Sequence, residues 1–235
     1  MSPKGTLYLL PSLMGENAGA EWLCQLQLRL FDELKIYFAE NERTARRLLR
    51  RAGFKGDLHQ IQIFRLDKNT PQQTLKEYLH WLNEGHHAGI LSEAGMPALA
   101  DPGAALIQMA HLHDIPVLAL PGPSAIFMAI VSSGFNGQQF SFNGYLPIET
   151  QQRRNRIKQL EDLASKTKYA QYFIETPYRN NALLADLLSV CKPETMLSIA
   201  ANLTEPEGWN KSKRIASWQK NPPDLHKIPV VFGIS

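Results

Sequence analysis

The chain has 235 residues, of which 44% are hydrophobic and 20% charged, with a formal net charge of +3. That length holds one large domain or two small ones with a substantial core, and the composition excludes disordered and fibrous classes. No apolar run reaches the roughly 18–20 residues of a membrane span, so no membrane partner is expected. MSPKGTLYLLPS has one lysine and a short apolar run closed by proline, so it reads as a first strand rather than a signal peptide. Cys24 and Cys191 sit in apolar, helix-like contexts, which suits free thiols in a cytoplasmic protein better than a disulfide. The small positive charge permits an anionic partner without demanding one.

In chain order, the first half alternates strand and helix signals. Strands are predicted at 5–11, 36–40, 61–66, 88–92 and 116–122. Helices are predicted at 22–34, 42–54, 70–85 and 102–113. Thr70 before Pro71 marks one helix start, and Gly53 and Gly85 mark two stops. This rhythm predicts a mostly parallel sheet covered by helices. The second half reads as helix 123–134, strand 140–147, helix 153–166, strand 169–175, helix 181–191, then strands 195–203, 213–218 and 228–234. Consecutive strands without crossover helices predict a mixed sheet. The expected fold class is therefore α/β, with two α/β domains at 1–118 and 119–235, the N-terminal sheet mostly parallel and the C-terminal one mixed.

Three strand ends share one chemistry: LPSLMGEN (10–17), LSEAGMPALADPG (91–103) and LPGPSA (120–125). Each follows a strand with small residues and proline. Glycine lets a backbone approach a ligand closely, and proline freezes the loop. In open α/β sheets ligands sit beyond the carboxyl ends of strands. One such loop is an ordinary tight turn; three at successive ends point to a ligand held by main chain. There is no GxGxxG and no GxxxxGK[ST], which disfavours ordinary dinucleotide and P-loop sites. The histidines lack cysteine or carboxylate partners at ligand spacing, so no metal is expected.

At these loops the sequence resembles the tetrapyrrole methylase superfamily of S-adenosylmethionine-dependent methyltransferases, and within it the bacterial small-subunit ribosomal RNA cytidine 2′-O-methyltransferases. The likeness spans nearly the whole chain. It rests on GTLYLLPSLMGEN, on Glu40-Asn41-Glu42-Arg43-Thr44 with its basic continuation, and on Ser92-Glu93-Ala94-Gly95-Met96-Pro97 followed by Asp101-Pro102-Gly103. It continues through Pro121-Gly122-Pro123-Ser124-Ala125, Phe142-Asn143-Gly144-Tyr145-Leu146-Pro147 and Glu175-Thr176-Pro177-Tyr178-Arg179. Departures from the family's pattern fall at Asn41 and Glu93, where Asp is usual, and at Tyr178, where His is usual. The resemblance implies S-adenosyl-L-methionine in a cleft between the two domains, a homodimer, and RNA of the small ribosomal subunit as partner. The implied cofactor residues are Pro11, Ser92, Ala94, Gly95, Pro97, Pro121, Gly122, Pro123, Ser124 and Tyr145.

If the acceptor is a ribose hydroxyl, a positioned base must take its proton. Glu40, which ends a strand, is the first candidate, Glu93 the second and Glu175 the third. Glu40 reads equally well as a carboxylate facing the dipole of helix 42–52. In that helix Arg43, Arg46, Arg47 and Arg50 fall at i, i+3, i+4 and i+7, on one face. The stripe predicts an anion opposite it, met by RNA phosphates or by a carboxylate-rich tetrapyrrole. Arg153, Arg154, Arg156 and Lys158 form a second basic cluster, read as a solvated face. Tyr145, Tyr172, Phe173 and Tyr178 read either as core or as base-stacking surfaces. The rivals to RNA methylation are C-methylation of a corrin or porphyrin precursor, and a non-catalytic paralogue that binds cofactor or RNA.

Overall fold

A computed structural model of the chain describes residues 3–235. Met1 and Ser2, which open the stretch expected to form the first strand, lie outside the described residues. The fold divides into two compact units, one ending at Ser124 and the other beginning at Ala125.

The first unit runs β1 (Leu7–Leu10), α1 (Gln25–Glu33), β2 (Ile36–Ala39), α2 (Glu42–Arg51), β3 (Gln62–Arg65), α3 (Gln72–Asn83), β4 (Ala88–Leu91), α4 (Ala104–Leu112) and β5 (Val117–Ala119). Its strands form one sheet in the order β3-β2-β4-β1-β5, and every pairing is parallel. All residues of β2 and β4 are buried, because helices cover both faces of such a sheet. The side chains sort by the two-residue period of a strand. Tyr37, Ala39 and Leu91 join one core with Phe31, Leu48 and Leu49. Ile36, Phe38, Ala88 and Ile90 join another with Leu75, Leu82 and Leu106. Asn41 caps α2 by accepting the Thr44 amide at 3.1 Å. The predicted parallel α/β reading of this half is the observed one.

The second unit runs α5 (Ala125–Ser132), β6 (Phe140–Tyr145), α6 (Thr150–Thr167), β7 (Ala170–Ile174), α7 (Asn180–Val190), β8 (Met196–Ala201), β9 (Trp209–Arg214), α8 (Ile215–Lys220) and β10 (Val230–Ile234). The sheet order is β6-β7-β10-β8-β9, with β6 parallel to β7 and β10 antiparallel to both its neighbours. It is the predicted mixed sheet.

One predicted strand is corrected. KRIASW (213–218) is not a strand: β9 stops at Arg214, and Ile215 starts α8. Ile215 and Trp218, three apart, share a helix face and are both buried, and the Trp218 indole Nε1–H donates to the Leu197 carbonyl at 2.9 Å. Tyr172 and Phe173 are core, at 1% and 0% exposure, so stacking on RNA is excluded for both. The second basic cluster is divided: Arg154 and Lys158 are exposed, as a solvated face requires, whereas Arg153 is buried. Arg153 and Arg154 grip the two oxygens of buried Asp186 at 2.7 Å each, and Arg156 donates to the Asn143 side chain. Both cysteines are free thiols.

Candidate active site

The strand order fixes where a ligand fits in the first unit. From β1 the chain crosses to β2 and β3 on one side, returns to insert β4 beside β1, then adds β5 on the other side. The reversal places the switch at the carboxyl ends of β1 and β4, the position where open α/β sheets leave a crevice. The loops leaving those strands are bound to each other. Ser12 and Gly95 exchange backbone hydrogen bonds at 2.8 and 3.0 Å. The Ser12 hydroxyl donates to the Ser92 carbonyl, and the Ser92 hydroxyl to the Gly95 carbonyl, each at 2.6 Å. Gly95 has φ +72°, and a Cβ there would sit 3.4 Å from the Pro123 carbonyl oxygen. The loop after β5 comes just as close: a Cβ on Gly122 would lie 2.5 Å from Pro11 Cβ. Pro11, Ser92, Gly95, Gly122 and Pro123 are therefore one locked assembly of main chain.

Strain gathers in the same segment. Ala98 and Ala100 hold φ of 63° and 61°, and Gly103 holds 128°. Alanine in the left-handed region is costly and persists only where surroundings enforce it. The 95–103 loop turns sharply three times with few large side chains, and this brings Asp101 back toward the strand ends.

Asp101, Glu93 and Glu40 act on one another. Burial, then the charges of Glu40 and Glu93, push the Asp101 carboxyl up from 3.8 to about 6. Burial, then the charge of Glu40, raise Glu93, while a Thr44 hydrogen bond and Arg47 oppose the rise. Carboxylates crowded in this way favour a cation or a shared proton among them. Because the folded pKa of Asp101 is raised, its charge destabilises the fold: the penalty is absent below its ordinary pKa and complete once pH passes the raised one. Discounted for partial exposure, it is about 1–2 kcal/mol, or about 2–8 °C in Tm for a chain of this size. Asp101→Asn is therefore expected to raise Tm at pH 7.5 and to leave it unchanged at pH 3. An equal rise at both pH values in differential scanning calorimetry would show that charge is not its source.

The remaining sequence candidates divide between the units. Ala94 and Pro97 lie on either side of Gly95 in the loop after β4, and Pro121 and Ser124 flank Gly122 and Pro123. Tyr145 is in the second unit, at the end of β6, with its side chain 57% exposed beside a register shift in that strand. Glu175 is also in the second unit and is buried. Its Oε1 accepts from the Thr176 amide and pairs with Arg179 at 2.6 Å, while Oε2 has no partner among the described residues. That geometry holds the Thr176–Arg179 turn.

The arginine stripe is divided by its neighbours. Arg46 pairs with Glu42 at 2.8 Å and donates to the Leu58 carbonyl. Arg50 donates to the carbonyls of Phe54 and Gly56 and lies over the Phe54 ring. Arg51, at the stripe's edge, gathers three carbonyls from Gly15, Glu16 and Ala18. Arg43 and Arg47 are exposed and make no such bond among the described residues.

Comparison with known proteins supplies the family. No family model matches the chain. It is 32% identical over 210 residues to a ribosomal RNA small subunit methyltransferase I of Thermotoga maritima, covering 88% of this chain and 89% of that one. Other relatives of the same name are longer, and the chain spans 61–66% of several of them. In fold it is similar to the methyltransferase CobJ, with a TM-score of 0.62 and 16% identity over 100% of this chain and 94% of that one. It is also similar to uroporphyrin-III C-methyltransferase from Thermus thermophilus complexed with S-adenosylhomocysteine, with a TM-score of 0.52 and 14% identity over 98% and 97% of the two chains. With a third of its residues shared along most of both lengths, this chain belongs to the ribosomal RNA small subunit methyltransferase I family.

Proposed function

We propose that the chain is an S-adenosylmethionine-dependent methyltransferase that methylates a ribose 2′-hydroxyl in RNA of the small ribosomal subunit. Family membership supports the reaction class and the substrate. The observation that carries the mechanism is the gathering of Glu40, Glu93 and Asp101 beside the locked loops at the sheet's switch point.

The residues present suit the cofactor. Gly95 and Gly122 hold the chain in close approaches where a Cβ would intrude. Main chain of this kind presents amides and carbonyls to a nucleoside rather than long side chains. The three carboxylates supply negative charge for a fixed cation. When bound, S-adenosylmethionine supplies a methyl group on a sulfonium. Pro11, Ser92, Ala94, Gly95, Pro97 and Pro121 to Ser124 are assigned to hold it. Glu40, exposed at the end of β2, is assigned to accept the proton of the ribose hydroxyl. Glu93 and Asp101 lie close enough to feel its charge, which places it at the edge of the same acidic cluster. Arg43 and Arg47 are assigned to RNA phosphates. The porphyrinoid reading has fold likeness behind it and no feature of its own in this chain.

The reading extends to a cytoplasmic homodimer, as the family resemblance implies; light scattering checks the dimer. The decisive measurement is transfer of labelled methyl from S-adenosylmethionine to small ribosomal subunits taken from a strain lacking the modification. Incorporation that alkaline-resistant dinucleotides place on a ribose is the expected result. Calorimetric binding of the cofactor with no transfer to any RNA would reduce the chain to a binding protein.

A further inference from the structure

We propose that Arg65, which lies outside the arginine-rich helix, joins Arg43 in a phosphate clamp at the mouth of a cavity that ends at Glu40, and that this cavity seats the RNA nucleotide being methylated. The inference rests on the proposed methyltransferase reading and specifies its acceptor side.

The cavity is an open cleft of about 640 Å³ between the first turn of α2 and the end of β3, within the range of sites that hold a small organic group. Glu40, Arg43, Arg46, Ile63 and Arg65 are among its walls. β2 and β3 are parallel neighbours with Ala39 opposite Arg65, so Glu40 follows one residue beyond the pair, and both Glu40 and Arg65 line the cleft. Ile63, two residues before Arg65, contributes a partly buried apolar surface on the same sheet face. Three guanidiniums thus share this lining with two carboxylates, Glu40 and Glu42, the second of them already paired with Arg46.

Their commitments differ. Arg46 is spent on Glu42 and the Leu58 carbonyl. Arg43 is exposed and makes no side-chain bond among the described residues. Arg65 meets Asp67 through Nε at 2.8 Å, and its side chain is 76% exposed. The forked end of each therefore remains for an incoming anion. A phosphodiester matches a guanidinium fork with two parallel hydrogen bonds. The Asp67 carboxylate, held below the usual range first by the Asn69 amide and also by Arg65, aims the Arg65 stem. A phosphate gripped at the mouth places the attached ribose inside, toward Glu40.

The test compares wild type with Arg43→Gln, Arg65→Gln and the double variant on unmodified small subunits. KM for the subunits is expected to rise about 10-fold in the double variant while calorimetric affinity for S-adenosylmethionine holds. The plot of log affinity against log salt is expected to flatten by about 0.7 per lost contact, as for single-stranded RNA. Arg65→Lys is expected to restore the slope but only part of KM, since an ammonium holds phosphate as a point charge. Asp67→Asn, which removes the support without the cation, is expected to keep the slope. If Asp67→Asn, which leaves the Arg65 cation in place, flattens the salt slope as far as Arg65→Gln does, Arg65 merely shapes its turn and the clamp is overturned. Unchanged KM and slope in the double variant overturn it too, with wild-type transfer leaving the methyltransferase reading intact. Loss of uroporphyrinogen binding in place of RNA binding would assign the cavity to a polycarboxylate and sink both.

Discussion

Glu40→Gln is expected to lower kcat about 10²- to 10⁴-fold, the range a positioned general base contributes, while S-adenosylmethionine binds within a few-fold of wild type. The substitution keeps the shape and removes only the charge and the basicity. Glu40 sits at the end of β2, immediately before the Asn41 cap of α2, and its charge reaches both Glu93 and Asp101. Two roles compete for that position and predict opposite side effects. A carboxylate that only stabilises the N-terminus of α2 would cost stability when neutralised, by about 0.3–1 kcal/mol, and would leave turnover alone. A member of a crowded carboxylate cluster relieves repulsion when neutralised, so Tm at pH 7.5 holds or rises as kcat collapses. Single-turnover methyl transfer and calorimetry on one preparation separate the two. Full turnover with a lowered Tm would take Glu40 out of the chemistry.

The parts of this site that local pattern reveals are those that depend on strand ends. Parallel strands buried on both faces are short apolar runs, and the loop after each run lies at one edge of the sheet. That alone places Pro11, Ser92, Gly95 and Pro121 to Ser124 at a common rim. Asp101 carries no comparable signal. Followed by proline and glycine, it resembles any turn aspartate, and its raised pKa comes first from burial and then from Glu40 and Glu93, all of which act only in the folded chain. Arg65 has no local signal at all: it is the last residue of an edge strand, and its meaning comes from lying opposite Ala39. The helical wheel of α2 correctly puts four arginines on one face. Periodicity names a face but not what meets it, and carbonyls of the 54–58 loop claim Arg46 and Arg50. The strand expected at 213–218 fails for the same reason. In Lys-Arg-Ile-Ala-Ser-Trp the two large apolar residues stand three apart, a helix spacing in too short a run to recognise, and the Leu197 carbonyl that receives the Trp218 indole fixes it.

Gly122→Ala tests the locked loops directly, and it is expected to weaken S-adenosylmethionine binding about 10- to 100-fold. The backbone at Gly122 lies outside the left-handed region, so alanine suits it locally and any effect is steric. The added Cβ would stand 2.5 and 2.6 Å from Cβ and Cγ of Pro11, closer than any real contact. Pro11 is a ring that cannot rotate away, and its carbonyl is tied to the buried Gln27 side chain at 2.5 Å. Gly122 is held in turn through Leu120, whose amide bonds to the Leu9 carbonyl at 3.1 Å. The methyl must therefore part the loops after β1 and β5, at an overpacking cost of about 1–3 kcal/mol. If the cofactor needs those loops in contact, that cost appears in its Kd at about 1.4 kcal/mol per factor of ten. Gly137→Ala is the matched control: its Cβ would meet nothing within 4 Å, and affinity should not move. A Gly122→Ala protein that binds S-adenosylmethionine as tightly as wild type would place the cofactor away from the junction of Pro11 and Gly122, and the assignment of the surrounding loop residues would fall with it.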